Sequence, residues 1–182
     1  MEARRTRRSR VIMKPTLLAS LAIAALSTLG DFIWAMWLPE HRAVYGFAHG
    51  LLLFCAIGLV FGTLAGRPAP GGLAGAAIGA AAAGGFYLLS PLLGFSAMFP
   101  VWFGAWIALG WTYAQLSRSG AGPGVVLARG AMAATASGLA FYLIAGIWMP
   151  FDPEGWDYLL HFSAWTFAYF PGFAALLLAP RR

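Results

Sequence analysis

The fold is decided around residues 31–49, which read DFIWAMWLPEHRAVYGFAH. This stretch lies between two long apolar runs and combines a proline with two histidines, two acidic residues and two tryptophans. Proline and charged residues interrupt apolar helices, whereas tryptophan concentrates where a membrane meets water. The stretch therefore predicts the outer turn of a transmembrane helical hairpin, and the rest of the chain can be interpreted outward from it.

The composition identifies lipid as the main partner of the chain. Of its 182 residues, 60% are hydrophobic and 10% are charged, and the mean hydropathy is +0.74. Soluble domains carry about 25% charged residues, so this chain has too few to cover a soluble fold. The net charge of +6 comes mainly from arginines at the chain ends and in short loops, which favours lipid headgroups over nucleic acid.

The apolar runs predict an all-α, polytopic integral membrane protein with six transmembrane helices. Each run is close to the roughly 20 residues that cross the hydrocarbon core, and lipid offers no partner for an open strand edge. The predicted domain is residues 15–179, with a disordered basic tail at 1–14 and a short C-terminal end at 180–182. The six spans are predicted at residues 15–38, 43–65, 71–89, 100–116, 130–149 and 156–178.

The loop charges predict the orientation of these spans. Most basic residues fall on one side of the membrane. They are those of the N-terminal tail, Arg67 and Arg118 in two loops, and those of the C-terminus. The opposite side carries Asp152, Glu154 and Asp157 in one loop. Because basic loops stay on the cytoplasmic side, both termini are predicted to be cytoplasmic, in a bacterial-type plasma (inner) membrane.

The first span has one competing interpretation. A start at Met13 would make the following apolar run resemble a signal peptide. The run continues past Asp31 to a spanning length, and no clean Ala-x-Ala site precedes that residue, which favours a span. Pro15 and Pro100 suit the first turns of their helices, and Pro171 predicts a kink in the sixth.

Asp31 is an acidic residue inside the predicted first span, so a position at the membrane–water interface does not explain it. An ionisable side chain at the middle of a membrane helix costs roughly 2.5–3.5 kcal/mol. The spacing of Ser20, Ala24, Ser27 and Asp31 places them on one helical face, so this polar stripe is predicted to face the bundle interior.

The predicted site is a polar cluster that opens to the outside. If the first hairpin turns near Glu40, Asp31 and His49 lie at equal depth, which predicts His49 as the partner of Asp31. His161 enters the sixth span at a comparable depth and is the candidate third member. The candidate binding residues are Asp31, His49, His161, Glu40, His41 and Asp157. The aromatic residues of the sixth span, including Trp165 and Tyr169, are interpreted as packing residues.

Three interpretations of this cluster remain open. It is a structural clamp between helices, a site for a proton, cation or polar headgroup in a transport or solute-binding component, or a haem or metal site. The third would use His49, His161 and Asp31 as ligands in a redox or enzyme component. No His-Glu-x-x-His motif supports it, so no cofactor is predicted.

Catalytic motifs are missing from the sequence. No Gly-x-Ser-x-Gly elbow occurs, and no catalytic residue is predicted, although an intramembrane hydrolase with dispersed His, Asp and Ser remains an alternative. Small residues instead predict helix packing. Gly75 and Gly79 form a Gly-xxx-Gly pattern, and Ala131, Thr135 and Gly138 form a second small face, which together predict helix contacts or a homo-oligomer.

Overall fold

Long apolar runs without strand-like alternation form α-helices, because a helix satisfies its own backbone hydrogen bonds. The computed structural model describes residues 2–37, 42–148 and 153–177, and their side chains over 13–33, 44–143 and 153–177. Within these ranges the protein is all-α, as predicted. Its elements are α1 (Glu2–Trp37), α2 (Arg42–Leu64), α3 (Pro68–Leu93), a 3-10 turn (Gly94–Ala97), α4 (Met98–Leu116), α5 (Pro123–Trp148) and α6 (Asp157–Leu177).

The N-terminal tail differs from its prediction. Helix α1 begins at Glu2, so the basic tail is helical rather than disordered, and Pro15 lies inside the helix rather than in its first turn. Arginine is a good helix former, and the tail is rich in it. Proline removes only one backbone donor, and the helix continues on both sides of it. Pro100, the third residue of α4, does occupy a first turn, as predicted.

Long apolar helices with apolar surfaces make this a helical membrane protein. Four helical segments of the described residues are long and apolar enough to cross a membrane: Met13–Ile33, Val44–Leu64, Pro68–Leu116 and Pro123–Leu143. Large apolar side chains cover their outer faces, and Leu92 is 83% exposed. Soluble proteins rarely expose such continuous apolar surface, whereas a bilayer covers it.

The segment Pro68–Leu116 reverses direction at its 3-10 turn. A methyl group built on Gly85 of α3 would lie 3.4 Å from a methyl carbon of Val101 in α4. Further from the turn, Ile78 of α3 and Ala108 of α4 line the same shallow apolar groove. Helices α3 and α4 therefore pack side by side in opposite directions.

Glycines bring α2 and α3 into close contact. A methyl group built on Gly75 would lie 2.9 Å from the Cα of Gly58, and one on Gly71 would lie 2.6 Å from the Cα of Gly62. Any side chain at these positions would force the two backbones apart. The predicted packing role of the Gly75 face is thus confirmed within one chain. A homo-oligomer stays a prediction, now resting on the α5 face, where Thr135 is exposed.

Helix α6 lies at the centre of the bundle, against α1 and α5. Its inner face carries Tyr169 and Phe173, which are 1% and 0% exposed. Trp106 of α4, 1% exposed, covers Gly172, where an added methyl group would overlap the indole ring. The helix continues through Pro171 to Leu177, and the predicted kink stays a prediction. This central position brings α6 against the polar face of α1.

Candidate functional site

The polar stripe of α1 faces the bundle interior, as its spacing predicts. Ser20, Ala24 and Ser27 are completely buried, and Asp31 continues the stripe one turn further along. Ser20 donates to the carbonyl oxygen of Thr16 within its own helix, at 2.9 Å. The two remaining polar residues of the stripe, Ser27 and Asp31, instead make hydrogen bonds to α6.

Asp31 accepts two hydrogen bonds from α6 on a single oxygen. Nδ1 of His161 lies 2.8 Å from Oδ2 of Asp31, and Nε1 of Trp165 donates to the same oxygen at 2.6 Å. Residues four apart share one face of a helix, so both donors reach across the same interface. With an ionised carboxylate, which only accepts, Nδ1 of His161 is the donor in this contact.

These two donors can offset the cost of placing the acid in a span. Hydrogen bonds to a charged group contribute about 1.5–3 kcal/mol each, against roughly 2.5–3.5 kcal/mol for a carboxylate at mid-membrane. Asp31 also lies six residues before the end of α1 at Trp37, or about 9 Å along the axis, nearer to the membrane surface. These contacts therefore make a carboxyl side chain tolerable at this position.

The carboxylate remains partly accessible. The side chain of Asp31 is 26% exposed, whereas that of His161 is 6% exposed. Both hydrogen bonds that the structure gives to this carboxylate end on Oδ2, and within the described residues none reaches Oδ1. An accessible carboxylate oxygen beside a histidine can take up a proton or contact a cation.

A second set of contacts holds the two donors in place. Ser27 and Tyr169 share a hydrogen bond of 3.1 Å, one turn deeper than Asp31. The indole of Trp165 stacks between Phe141 of α5 and Tyr169, at centroid distances of 4.7 and 5.8 Å. Ser137 of α5 donates to a carbonyl oxygen of α6. These contacts restrict the Trp165 ring to the orientation that points Nε1 at Asp31.

His49 lies beside Asp31 but is not hydrogen-bonded to it among the described contacts. A methyl group built on Gly30 would lie 2.6 Å from Nδ1 of His49, so the imidazole packs on the bare backbone of that glycine. Tyr45 stacks on the imidazole at 5.8 Å and donates to the Gly30 carbonyl at 2.7 Å. The predicted equal depth of α1 and α2 here is confirmed. The direct partner of Asp31, however, is His161.

The remaining predicted site residues lie apart from this centre or outside the description. Oδ2 of Asp157 accepts from the backbone N–H of Glu154 at 3.0 Å, which organises the chain entering α6. Tyr158 packs against both Phe32 and His161, at 5.4 and 6.2 Å. Glu40 and His41 fall outside the described residues. The structure thus brings together three of the six predicted residues: Asp31, His49 and His161.

Metal binding is not supported by the described residues. Among them, no group of three or more His, Cys, Asp or Glu side chains is arranged to hold a metal ion. The haem or metal alternative, with His49, His161 and Asp31 as ligands, stays a prediction.

Comparison with known proteins identifies no relative of this chain. No protein-family model, no curated protein and no solved structure matches this chain. The geometry of the Asp31 site is therefore the basis for a functional proposal.

Trp165 and Tyr169 are the site residues that sequence reasoning missed. Both were interpreted as packing residues of the sixth span. Their spacing from His161 by four and eight residues carried the signal, because it places all three on one face of α6. This face of α6 runs antiparallel to the polar stripe of α1. His161 and Trp165 contact Asp31, and Tyr169 contacts Ser27.

Proposed function

We propose that the protein crosses the membrane six times, with both termini in the cytoplasm of a cell bounded by a bacterial-type inner membrane. The antiparallel packing of α3 and α4 supports two crossings within Pro68–Leu116. Helix α6 has 21 residues, or about 30 Å, which matches the hydrocarbon thickness. Six crossings place both termini on the side that carries Arg67 and Arg118, in agreement with the positive-inside rule.

We further propose that the protein is a transport or ion-binding component whose outward-facing site is centred on Asp31. The observation that carries the proposal is a carboxylate in a membrane helix that keeps 26% exposure beside a buried histidine. Acids inside membrane spans mark ion and proton pathways, because their cost is otherwise selected against. Asp31 and His161 together form a unit that can gain or lose a proton with little rearrangement.

Reconstitution of the purified protein into liposomes tests this function. Protons, sodium and potassium are supplied in turn, and flux is followed with an internal dye for each. Asp31→Asn keeps the shape of the side chain and removes its charge, so we expect at least a tenfold loss of flux. Glu154→Gln is the matched control, because it removes an exposed acid outside the site, and it should retain wild-type flux.

A structural clamp is the second candidate, favoured by the two hydrogen bonds that join α1 to α6. The same variants separate the two functions if their melting temperatures in detergent are measured. Loss of flux with an unchanged melting temperature in Asp31→Asn supports the ion site. Absence of flux in the wild type, together with a lowered melting temperature in Asp31→Asn, supports the clamp and rejects transport. Wild-type flux in Asp31→Asn rejects the proposed site.

A further inference from the structure

A cavity lies at the opposite end of the bundle from Asp31. It has a volume of about 200 Å³ and is formed by the ends of α4, α5 and α6 and the loop between α4 and α5. Leu176 lines it, fifteen residues after His161 on α6 and therefore about 22 Å from the Asp31 site along the axis. Since α1 and α6 run in opposite directions, this is also the end where the basic N-terminal segment lies.

The lining of this cavity has a polar and an apolar part. Arg129 is the one charged side chain among the described residues that line the cavity. Three hydroxyl groups accompany it, those of Tyr113, Ser117 and Ser119. The apolar part includes Leu176, Leu177 and Val126, of which each is at most 6% exposed. A guanidinium with hydroxyls nearby suits an oxyanion, and the apolar part suits an attached hydrocarbon chain.

The hydroxyl groups can donate to such an anion. Oγ of Ser119 accepts from the N–H of Ala121 at 3.3 Å, which leaves its own proton available. Oγ of Ser117 has a long contact of 3.4 Å to the Ala114 carbonyl, a weak bond that an anion would readily replace. Drug-sized ligands occupy pockets of roughly 300–1,000 Å³, so this smaller cavity fits a headgroup rather than a whole lipid.

We propose that this cavity binds the phosphate group of an anionic phospholipid from the cytoplasmic leaflet. Arg129 and the serine hydroxyls contact the phosphate oxygens, and the acyl chains leave along the apolar side of α6. The assignment to the cytoplasmic leaflet rests on the topology proposed above. The Asp31 site takes no part, so lipid binding holds or fails independently of the proposed transport activity. Anionic lipid is concentrated on the side that basic protein segments occupy, which agrees with the position of the cavity.

Native mass spectrometry of the full-length protein in detergent tests the proposal, with phosphatidylglycerol and phosphatidylcholine titrated separately. We expect phosphatidylglycerol to bind more tightly, and Arg129→Gln to weaken that binding about tenfold, as loss of a charge-assisted contact does. Arg118→Gln is the matched control, because Arg118 is exposed in the loop between α4 and α5 and is not among the residues that line the cavity. It should bind both lipids as the wild type does.

Several outcomes would overturn the site. Equal weakening by Arg129→Gln and Arg118→Gln would assign the binding to general surface charge. Displacement of phosphatidylglycerol by an equal concentration of inorganic phosphate would assign the cavity to a free anion rather than a lipid. If Arg129→Gln does not fold, Arg129→Lys provides the second variant, since it keeps the charge but loses the two-pronged geometry. Wild-type affinity in the folded Arg129 variants would reject the proposal.

Discussion

Asp31 is stabilised by residues of another helix rather than by its own. Nε1 of Trp165 donates to Oδ2 of Asp31, Nδ1 of His161 lies within hydrogen-bond distance of the same oxygen, and no α1 side chain that the structure describes is hydrogen-bonded to it. Trp165 is therefore a positioning residue as well as a packing residue, because its ring stacks against Phe141 and Tyr169 while Nε1 donates to the carboxylate. Its contribution can be separated by a substitution that keeps the aromatic ring and removes the donor.

Trp165→Phe should lower the stability of the protein by about 1.5–3 kcal/mol, since one hydrogen bond to a charged group is lost. Thermal unfolding in detergent measures this as a reduced melting temperature. Trp111→Phe is the matched control, because Trp111 is 40% exposed on the outer face of α4 and has no role at Asp31. An equal decrease in both variants would mean that ring size, and not the hydrogen bond, determines the loss.

At the scale of the elements, α3 shows how one helix can present two kinds of surface. Gly75 and Gly79 meet the backbone of α2, where no side chain fits. Gly84, on the same helix, has open space around its Cα. Helices in lipid associate through such close backbone contact, because burial of apolar surface provides little driving force between them. The contact between α2 and α3 therefore depends on particular glycines.

Gly75→Ala should destabilise the protein by about 1–3 kcal/mol, the usual cost of overpacking a tight contact. Its new methyl group would lie 2.9 Å from the Cα of Gly58, which is backbone and can only move with its helix. Gly84→Ala adds the same methyl group in open space and should be neutral or slightly stabilising. Chemical unfolding in mixed micelles compares the two. Equal stability would contradict the proposed glycine contact.

At the scale of the whole molecule, the direction of each helix has to agree with the side of the membrane on which the loop charges lie. Asp31 and the start of α6 lie at one end of the bundle, while the cavity beside Arg129 lies at the other. In the six-span topology proposed above, these two ends lie at opposite faces of the membrane. The proposed ion binding at one face and lipid binding at the other would then be separate tasks of a single bundle.

Cysteine labelling tests this topology directly. In a Cys55→Ala background, which removes the single native cysteine, Glu154→Cys should react with an impermeant maleimide on intact cells. Arg67→Cys and Arg118→Cys should react only after the membrane is opened. Labelling of Arg118→Cys but not of Glu154→Cys in intact cells would mean the opposite orientation. Labelling of both Glu154→Cys and Arg118→Cys from outside would reject the single crossing by α5 between them.

The sequence by itself determined the membrane class, the helical content and the face that Asp31 occupies. Composition and run length depend only on the solvent that each residue tolerates, and the spacing of Ser20, Ser27 and Asp31 follows from helical geometry. It also placed His49 at the depth of Asp31, because a hairpin pairs residues at equal distances from its turn. These properties depend on residues that are close together in the chain, so the amino-acid sequence alone specifies them.

Only the tertiary structure decided which side chains Asp31 meets. His161 and Trp165 are 130 and 134 residues away along the chain, and their contact depends on α6 packing against α1. The sequence favoured His49 instead, since that residue on the neighbouring helix satisfied the depth argument. In the structure the His49 ring packs against Gly30, while the polar face of α6 meets the carboxylate. Long-range helix pairing is a property of the whole packed bundle, and local patterns do not specify it.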